Sequence, residues 1–340
     1  MTTISRSDTA VGEAQAPGWL SRHPNLVPTG SALLIFLAMV AYGQIAYGGI
    51  IQYSTVSNLL INNAHLVILA IGMTFVILTG GIDLSVGAIL AFSSVAGVLL
   101  ANAGLDPYLC MVVMVLLGTL TGLASGVLIH FFGMPPFIAT LAMMFLTRGL
   151  ASTLSTIPER LDTDSPIRDV AYQFKIIDGE RVNDLAITPG VVIAAVIVVA
   201  GLFLLHRTRF GRTVYAIGGS EQSADLMGLA VARTKIWVYV ISGTLAGVAT
   251  VVYTARLGSA QNITGIGWEL DAIAAAVVGG TLLTGGSGFL VGSVIGSLVL
   301  GLMTVLITRD GSIPAEMTTI ITGGILFIFV LLQRAIRRRS

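Results

Sequence analysis

Three carboxylates interrupt stretches of the sequence that otherwise carry almost no charge: Asp83, Glu269 and Asp271. Carboxylates inside apolar segments are costly to bury, and they often mark ion, proton or substrate pathways. Glu269 and Asp271 stand two residues apart, which would place them on different faces of a helix. We therefore do not expect them to share a metal ion, and the start of a helix explains both residues equally well.

Asp83 lies in the segment TGGIDLSVG, residues 79–87, between two apolar runs. Gly80 and Gly81 would let the chain bend there at low steric cost, and Asp83 and Ser85 would then offer polar groups at the bend. Asp83 as the N-cap of the next helix explains the same residues, and we favour this interpretation over direct contact with a substrate. Both hold if the bend lines the inner end of a pathway.

Enzymatic chemistry finds little support in the sequence. Ser287 stands in the string GGSG, as the nucleophile of intramembrane rhomboid proteases does, but that chemistry needs a histidine base from a later helix, and all four histidines precede it. Neither lysine follows a glycine, so the phosphate-binding loop of ATPases is missing, and no two histidines are spaced for a metal site. We predict a protein that is not an enzyme and that holds no cofactor or metal.

The elements that must position these residues are membrane helices. The 340 residues are 55% hydrophobic and 10% charged, with a mean hydropathy of +0.91, whereas a soluble domain carries about 25% charged residues. The net charge of +1 gives no reason to expect a nucleic-acid partner. The single cysteine, Cys110, excludes a disulfide within the chain.

Ten stretches meet the requirement of about 20 mostly apolar residues for a helix that crosses the hydrocarbon core. They are residues 28–49, 57–79, 86–104, 108–131, 136–155, 187–206, 235–257, 269–284, 287–308 and 315–334. The eighth is short and rich in glycine, which predicts a short or broken helix. The sequence thus predicts an all-α integral membrane protein with about ten transmembrane helices in contact with membrane lipid.

Basic residues set the orientation, because arginine and lysine favour the cytoplasmic side. They are dense between residues 206 and 235 and at the C-terminus. With ten spans, both termini then lie in the cytoplasm. We expect a cytoplasmic tail over residues 1–27, a transmembrane domain over 28–334 and a basic cytoplasmic tail over 335–340.

Two connections are longer than the others. The outer connection, residues 156–186, could cap the outer mouth, meet an extracytoplasmic partner, or be a plain solvated loop. The inner connection, residues 207–234, contains SEQSADLMGL, in which Ser220 has the chemistry of a helix cap and Gly228 that of a helix end. A short helix there would suit docking into the groove of a partner; a helix lying on the membrane surface is the alternative.

A short sequence motif occurs twice in the chain. The frame T-G-G-x-x-x-x-V-G occurs at residues 79–87 and again at 284–292. Internal repeats are common in transporter folds, so we favour a duplication over a chance match.

Arg148 lies inside the fifth span and is expected to reach the interface or to pair with an acidic group. A further set of glycines has the spacing of helix packing: Gly118, Gly122, Gly126, Gly243 and Gly247.

Five motifs follow one another in order along the chain. They are GMTFVILTGGIDLSVGAI (72–89), PPFIATLAMMFLTRG (135–149), HRTRFGRTVYAIGG (206–219), SADLMGL (223–229) and ELDAIAAAVVGGTLLTGG (269–286). Together they resemble the ribose-type permeases of bacterial ABC sugar importers over about residues 55–335. Within that family they are most similar to a permease of the galactofuranose importers, although those relatives lack a tail of this length before the first span.

The resemblance implies a pore of two permeases, identical or sibling, in the bacterial inner membrane. Two cytoplasmic ATP-binding subunits would drive it, and a periplasmic sugar-binding protein would deliver a monosaccharide such as galactofuranose or a pentose. A stand-alone ion-coupled sugar transporter remains the alternative, because Asp83, Arg148, Glu269 and Asp271 could serve as its intramembrane ionisable groups.

The resemblance also implies roles for individual residues. The contact with the ATP-binding subunit would fall on Ser220, Glu221, Ala224, Asp225, Leu226, Met227 and Gly228. The translocation pathway and its gate would involve Gly80, Gly81, Asp83, Ser85, Glu269 and Asp271.

Overall fold

The structure is a computed structural model that describes residues 26–177, 183–312, 314 and 317–337. Its α-helices are α1 (Leu26–Ala46), α2 (Tyr53–Leu78), α3 (Val86–Asn102), α4 (Pro107–Phe131), α5 (Pro136–Leu154), α6 (Pro189–Arg207), α7 (Arg209–Gly219), α8 (Glu221–Leu226), α9 (Val231–Leu257), α10 (Trp268–Val278), α11 (Leu290–Asp310) and α12 (Met317–Arg337). Four short strands, β1 (Glu159–Arg160), β2 (Phe174–Ile177), β3 (Leu185–Ile187) and β4 (Ser259–Ala260), and a 3₁₀ helix, Pro166–Ala171, complete the described part.

Each of the ten predicted spans coincides with a helix. Among the described residues, seven helices are long and apolar enough to cross a membrane, and α3 and the Met317–Ile328 part of α12 are shorter apolar segments. The remaining span is α10, with 11 residues, or about 16 Å at 1.5 Å per residue, roughly half of a hydrocarbon core. The prediction of one short helix is therefore confirmed.

The predicted tails differ slightly from the helix ends. Helix α1 begins at Leu26 and α12 extends to Arg337, so each terminal helix takes in two or three residues that we assigned to a tail. The rest of the tails, residues 1–25 and 338–340, lies outside the described residues.

Helix α2 lies at the centre of the molecule. Every residue from Leu66 to Leu78 is buried, and helices α6, α9, α10 and α11 surround it. A helix that is buried on every side has no polar face to present to solvent, which explains why this segment is apolar on all its faces.

The predicted glycine pairing joins α4 to α9. A Cβ on Gly243 would lie 2.8 Å from the Gly122 Cα, and one on Gly247 would lie 2.7 Å from the Val115 Cα. Both distances are too short for any side chain, so the two backbones touch directly along this seam, as small residues allow in membranes. The packing role predicted for these glycines is confirmed.

The outer connection is folded rather than extended into solvent. Strand β1 pairs with β4 just beyond α9, and β2 pairs with β3 in a hairpin. Ile167 of the 3₁₀ helix is fully buried, and the Ala186 N–H donates to the Ser57 hydroxyl of α2 over 2.8 Å. The connection thus packs against the ends of α2 and α9 through Ile167 and Ala186, while the four residues of β2 are exposed.

Candidate functional site

The short helix α8 forms as the sequence predicts. The Ser220 hydroxyl accepts a hydrogen bond from the Ser223 N–H over 3.2 Å, and the chain leaves the helix at Gly228, whose φ is +72°. A left-handed residue at this position favours glycine because it has no Cβ. The cap and the stop therefore confine α8 to six residues between α7 and α9.

One side of α8 is anchored and the other is bare. Ala224 is fully buried with Ile217 and Val231, whereas Leu226 is 90% exposed and Met227 is 68% exposed. The Ala224 side chain holds the helix against α7 and α9, and its predicted contact with a partner stays a prediction. The other six residues predicted for this contact are exposed: Ser220, Glu221, Asp225, Leu226, Met227 and Gly228.

An ion pair ties α8 to the first turns of α9. The Lys235 Nζ lies 2.9 Å from both carboxylate oxygens of Glu221. Together with the buried Ala224, this pair fixes the direction in which Leu226 and Met227 point. The result is a small, rigid apolar tip at the predicted cytoplasmic surface.

Helix α7, which the sequence did not predict, connects this tip to the transmembrane helices. Residues 78–81, 218–219 and 284–288 meet at one place, which we call the glycine junction. The Gly286 N–H donates to the Leu78 carbonyl over 2.9 Å, and a Cβ on Gly285 would lie 2.7 Å from the Gly80 nitrogen. The two copies of the T-G-G frame are therefore in direct contact.

The end of α7 closes the glycine junction from the predicted cytoplasmic side. A Cβ on Gly218 would overlap the Leu78 carbonyl and would lie 2.9 Å from the Gly286 Cα. The Tyr215 hydroxyl donates to the Gly288 carbonyl over 2.7 Å, and burial raises the pKa of Tyr215 to about 12, so this phenol stays a neutral donor. Helix α7 is thus locked to both T-G-G turns.

Asp83 lies beside the glycine junction and is fully buried. Its Oδ1 accepts from the Ser85 N–H over 3.0 Å and from the Ser85 hydroxyl over 2.6 Å, and its Oδ2 accepts from the Ser242 hydroxyl of α9 over 2.7 Å. The N-cap position of α3 belongs to Ser85, so the prediction that Asp83 is the cap is wrong. Its carboxylate instead closes an Asx-type turn and joins that turn to α9.

Glu269 and Asp271 lie in the first turn of α10 and face different surroundings, as their spacing predicts. A Cβ on Gly87 of α3 would lie 2.7 Å from the Glu269 Oε2, so this carboxylate packs against α3. Asp271 instead lines a polar cavity together with His65 and Trp268. Both residues are partly exposed, and Asp271 is the one of the two that lines this cavity.

Arg148 binds the connection before α10. Its Nη1 donates to the carbonyl of Asn262 over 2.8 Å and to that of Thr264 over 2.6 Å. These bonds satisfy backbone carbonyls that lipid would leave unpaired, and the guanidinium also interacts electrostatically with the Glu269 carboxylate. Across the described residues, no three histidine, cysteine or acidic side chains converge as a metal site would require.

Comparison with known proteins gives the family. Residues 55–331 match the family described as branched-chain amino acid transport system / permease component. The chain is 51% identical over 312 residues to the fructose import permease protein FruG of Bifidobacterium longum, covering 92% of each chain. It is 40% identical to the inner membrane ABC transporter permease protein YjfF of Escherichia coli, over 89% of this chain and 90% of the relative.

Two further likenesses agree with this assignment. The ribose import permease protein RbsC of Bacillus subtilis is 41% identical over 78% of this chain and 80% of its own length. A solved structure of a metal-chelate type ABC transporter in an inward-facing conformation has a TM-score of 0.50 at 16% identity and covers 91% of this chain and 99% of its own, which speaks for the fold alone. The chain belongs to the family described as branched-chain amino acid transport system / permease component, and the relatives compared here are named as import or ABC transporter permeases.

Proposed function

We propose that this chain is the pore-forming permease subunit of an ATP-binding-cassette importer that carries a monosaccharide across the inner membrane. One observation supports this most directly: α8 is anchored through Ala224 and the Glu221–Lys235 pair, yet it exposes Leu226 and Met227. Exposed apolar side chains on a rigid helix are the form that a groove on another protein recognises. We assign this tip to the ATP-binding subunit.

A membrane-surface role for α8 fits its composition less well. Helices that lie on membranes are rich in lysine and arginine on their polar face. Helix α8 reads EQSADL, with two acidic residues and no basic one. Its charge would be repelled by anionic lipid headgroups, so the partner groove remains the better explanation.

The glycine junction is the route by which we propose that movement of α8 reaches the pathway. Gly80 and Gly81 lie in the junction, and Asp83 and Ser85 lie beside it, so a shift of α7 would change the turn between α2 and α3. In this proposal these four residues act in gating by positioning the turn. Glu269 holds α10 against α3, and Asp271 is the member of the predicted set that faces a cavity.

The outer hairpin is our candidate surface for a sugar-binding protein. Tyr172, Phe174 and Ile176 are each more than half exposed on a segment that is paired through β2 and β3 and packed on α2. Large exposed apolar side chains that cluster in this way mark interaction sites. The second permease of the pore, identical or sibling, completes the proposed assembly.

The substrate we propose is a monosaccharide. The relatives are named for fructose, ribose and allose, and the fructose permease is 51% identical over nearly the whole chain. Fructose is therefore the first sugar to test, followed by a pentose such as ribose and by galactofuranose. The family description names branched-chain amino acids, so leucine is the control substrate.

Co-purification from detergent tests the proposal. With this chain tagged, we expect an ATP-binding subunit to be recovered, and we expect the double variant Leu226→Asp, Met227→Asp to lose it while remaining folded. Ile157→Asp changes an equally bare side chain on the predicted outer surface and is the matched control. Recovery of the chain alone, with sugar uptake in liposomes driven by an ion gradient, would establish the secondary transporter instead.

A further inference from the structure

A polar cavity of about 350 Å³ opens among the outer halves of α2, α9, α10 and α11. It is small among ligand pockets, which span about 300–1,000 Å³. The side chains that give it its character are Asn63, His65, Tyr253, Arg256, Trp268 and Asp271. Such a mixture of rings, amide and both charges is unusual among membrane helices, where ionisable groups mark function.

Three aromatic rings form one wall of the cavity. The ring centroids of His65 and Trp268 are 4.6 Å apart, those of Tyr253 and Trp268 are 4.7 Å apart, and those of His65 and Tyr253 are 5.0 Å apart. Each ring touches the other two, so the wall is held in place from three different helices. All three side chains are partly exposed and present apolar ring surface to the cavity.

The cavity also has two charged groups, the Asp271 carboxylate and the Arg256 guanidinium. Within the described part of the chain, the Asp271 carboxylate receives no hydrogen bond, although it is only partly exposed. The Arg256 guanidinium has one long contact, 3.5 Å from its Nη1 to the Asn62 carbonyl. Bonds within the described chain therefore leave acceptor and donor capacity on these two groups, and water or a ligand can use it.

A glycine keeps room for the amide. The Asn63 Nδ2 donates to the Leu59 carbonyl over 2.8 Å, and a Cβ on residue 301 of α11 would overlap the Asn63 side chain. Gly301 therefore allows Asn63 to lie between α2 and α11 at the edge of the cavity. The amide oxygen and nitrogen add one acceptor and one donor type to the set.

These features match a neutral polyol. A monosaccharide ring has an apolar C–H face, which packs on aromatic rings, and hydroxyl groups that donate to carboxylates and accept from guanidinium groups. An aliphatic amino acid would need an apolar wall for its side chain, and Leu66 and Val305 are the aliphatic side chains that line this cavity. The charges of Asp271 and Arg256 would then have to face the ammonium and carboxylate of the amino acid.

We propose that this cavity is a monosaccharide subsite in the outer half of each permease chain, with the sugar ring against Trp268 and its hydroxyls on Asp271 and Arg256. The inference rests on the proposed function, since it takes the transported solute to be a sugar. With both termini in the cytoplasm, the cavity lies at the level where a sugar released by an outer binding protein first enters the chain.

Tryptophan fluorescence of the assembled transporter tests the subsite. The chain has three tryptophans, Trp19, Trp237 and Trp268, so the variant Trp19→Phe, Trp237→Phe keeps Trp268 as the only tryptophan of this chain, and the same variant with Trp268→Phe gives the emission of the partner subunits to subtract. D-Fructose and D-ribose, added without the binding protein, are expected to change its emission with saturation. Asp271→Asn, which keeps the side-chain volume, should weaken that binding about tenfold, the loss of one hydrogen bond to a charged group.

Uptake into vesicles separates the two claims. If the complete transporter with its binding protein imports fructose or ribose, but neither sugar changes Trp268 emission or Asp271→Asn binds as tightly as the parent, the subsite is overturned and the importer stands. If leucine and neither sugar is imported, the proposed function fails; a leucine-specific change in Trp268 emission would overturn the sugar subsite as well. Import of a sugar together with its saturable, Asp271-dependent signal supports both.

Discussion

Asp83 and Asp271 are both carboxylates set among membrane helices, and the structure treats them in opposite ways. Asp83, at the inner glycine junction, is fully buried and accepts three hydrogen bonds from Ser85 and Ser242. Asp271, at the outer cavity, accepts none within the described residues and faces open space. A carboxylate whose lone pairs are satisfied by its own chain holds structure, whereas one left unsatisfied beside a cavity is available to a ligand.

The same contrast extends to the surroundings of each residue. The glycine junction brings backbones together so closely that side chains are excluded, and backbone hydrogen bonds such as that from the Gly286 N–H to the Leu78 carbonyl join its parts. The outer cavity is lined by large side chains and keeps unused donors and acceptors. One region is therefore built to transmit position, and the other to receive a small molecule.

The largest effect is expected from breaking the glycine junction. Gly218→Ala would drive a Cβ into the Leu78 carbonyl and the Gly286 backbone, neither of which is a flexible side chain. We expect loss of sugar uptake, with ATP hydrolysis by the complex no longer linked to transport. Gly219→Ala is the matched control, because nothing lies within 4 Å of a Cβ at the neighbouring glycine. Equal uptake by both variants would contradict a mechanical role for the junction.

Removing the satisfied carboxylate comes next. Asp83→Ala leaves the buried hydroxyls of Ser85 and Ser242 without their acceptor, at a cost of about 1–3 kcal/mol per unsatisfied group. We expect uptake to fall at least tenfold while the complex still assembles, measured as uptake per amount of complex. Asp83→Asn keeps one acceptor oxygen and should recover part of the activity. Normal uptake by Asp83→Ala at normal expression would contradict the gating proposal.

The smallest effect is expected at the outer cavity. Gly301→Ala would push the Asn63 side chain from its place while favouring the helix, so any loss comes from the cavity. We expect fructose binding, followed by Trp268 emission, to weaken about threefold, which is less than for Asp271→Asn. Gly149→Ala in α5 changes a glycine with open space around it and should leave binding unchanged. A larger loss than at Asp271 would shift the centre of the subsite toward Asn63.

The helices were predictable because lipid imposes a strong rule on sequence. A span must be apolar over about 20 residues, and all ten stretches that follow this rule are helices in the structure. Helix α7 escaped prediction because RFGRTVYAIGG is short, mixed in polarity and carries three glycines. Strands β1 and β4 have two residues each, which is too few to show the alternating apolar and polar pattern of a strand.

Sites were harder to predict because their partners lie far apart in the chain. Asp83 stands out by its charge, but its contact with Ser242 spans 159 residues, and no local pattern predicts it. Of the cavity, the sequence singled out only Asp271; His65, Tyr253 and Trp268 come from three different helices and meet only in the fold. The cap and stop of α8 were predictable because Ser220 and Gly228 act on their immediate neighbours.

Helix α9 touches every one of these regions, and its glycine seam with α4 gives that fact a dynamic meaning. Because the backbones of α4 and α9 are in direct contact along this seam, we expect the two helices to tilt together as one rigid unit. The 27 residues of α9 span about 40 Å, so a tilt of about 5° displaces one end against the other by about 3.5 Å. Lys235, which contacts α8, lies near one end of α9, and Arg256, which lines the cavity, lies at the other. A displacement of α8 that tilts α9 would therefore move Arg256 by a distance comparable to the length of a hydrogen bond.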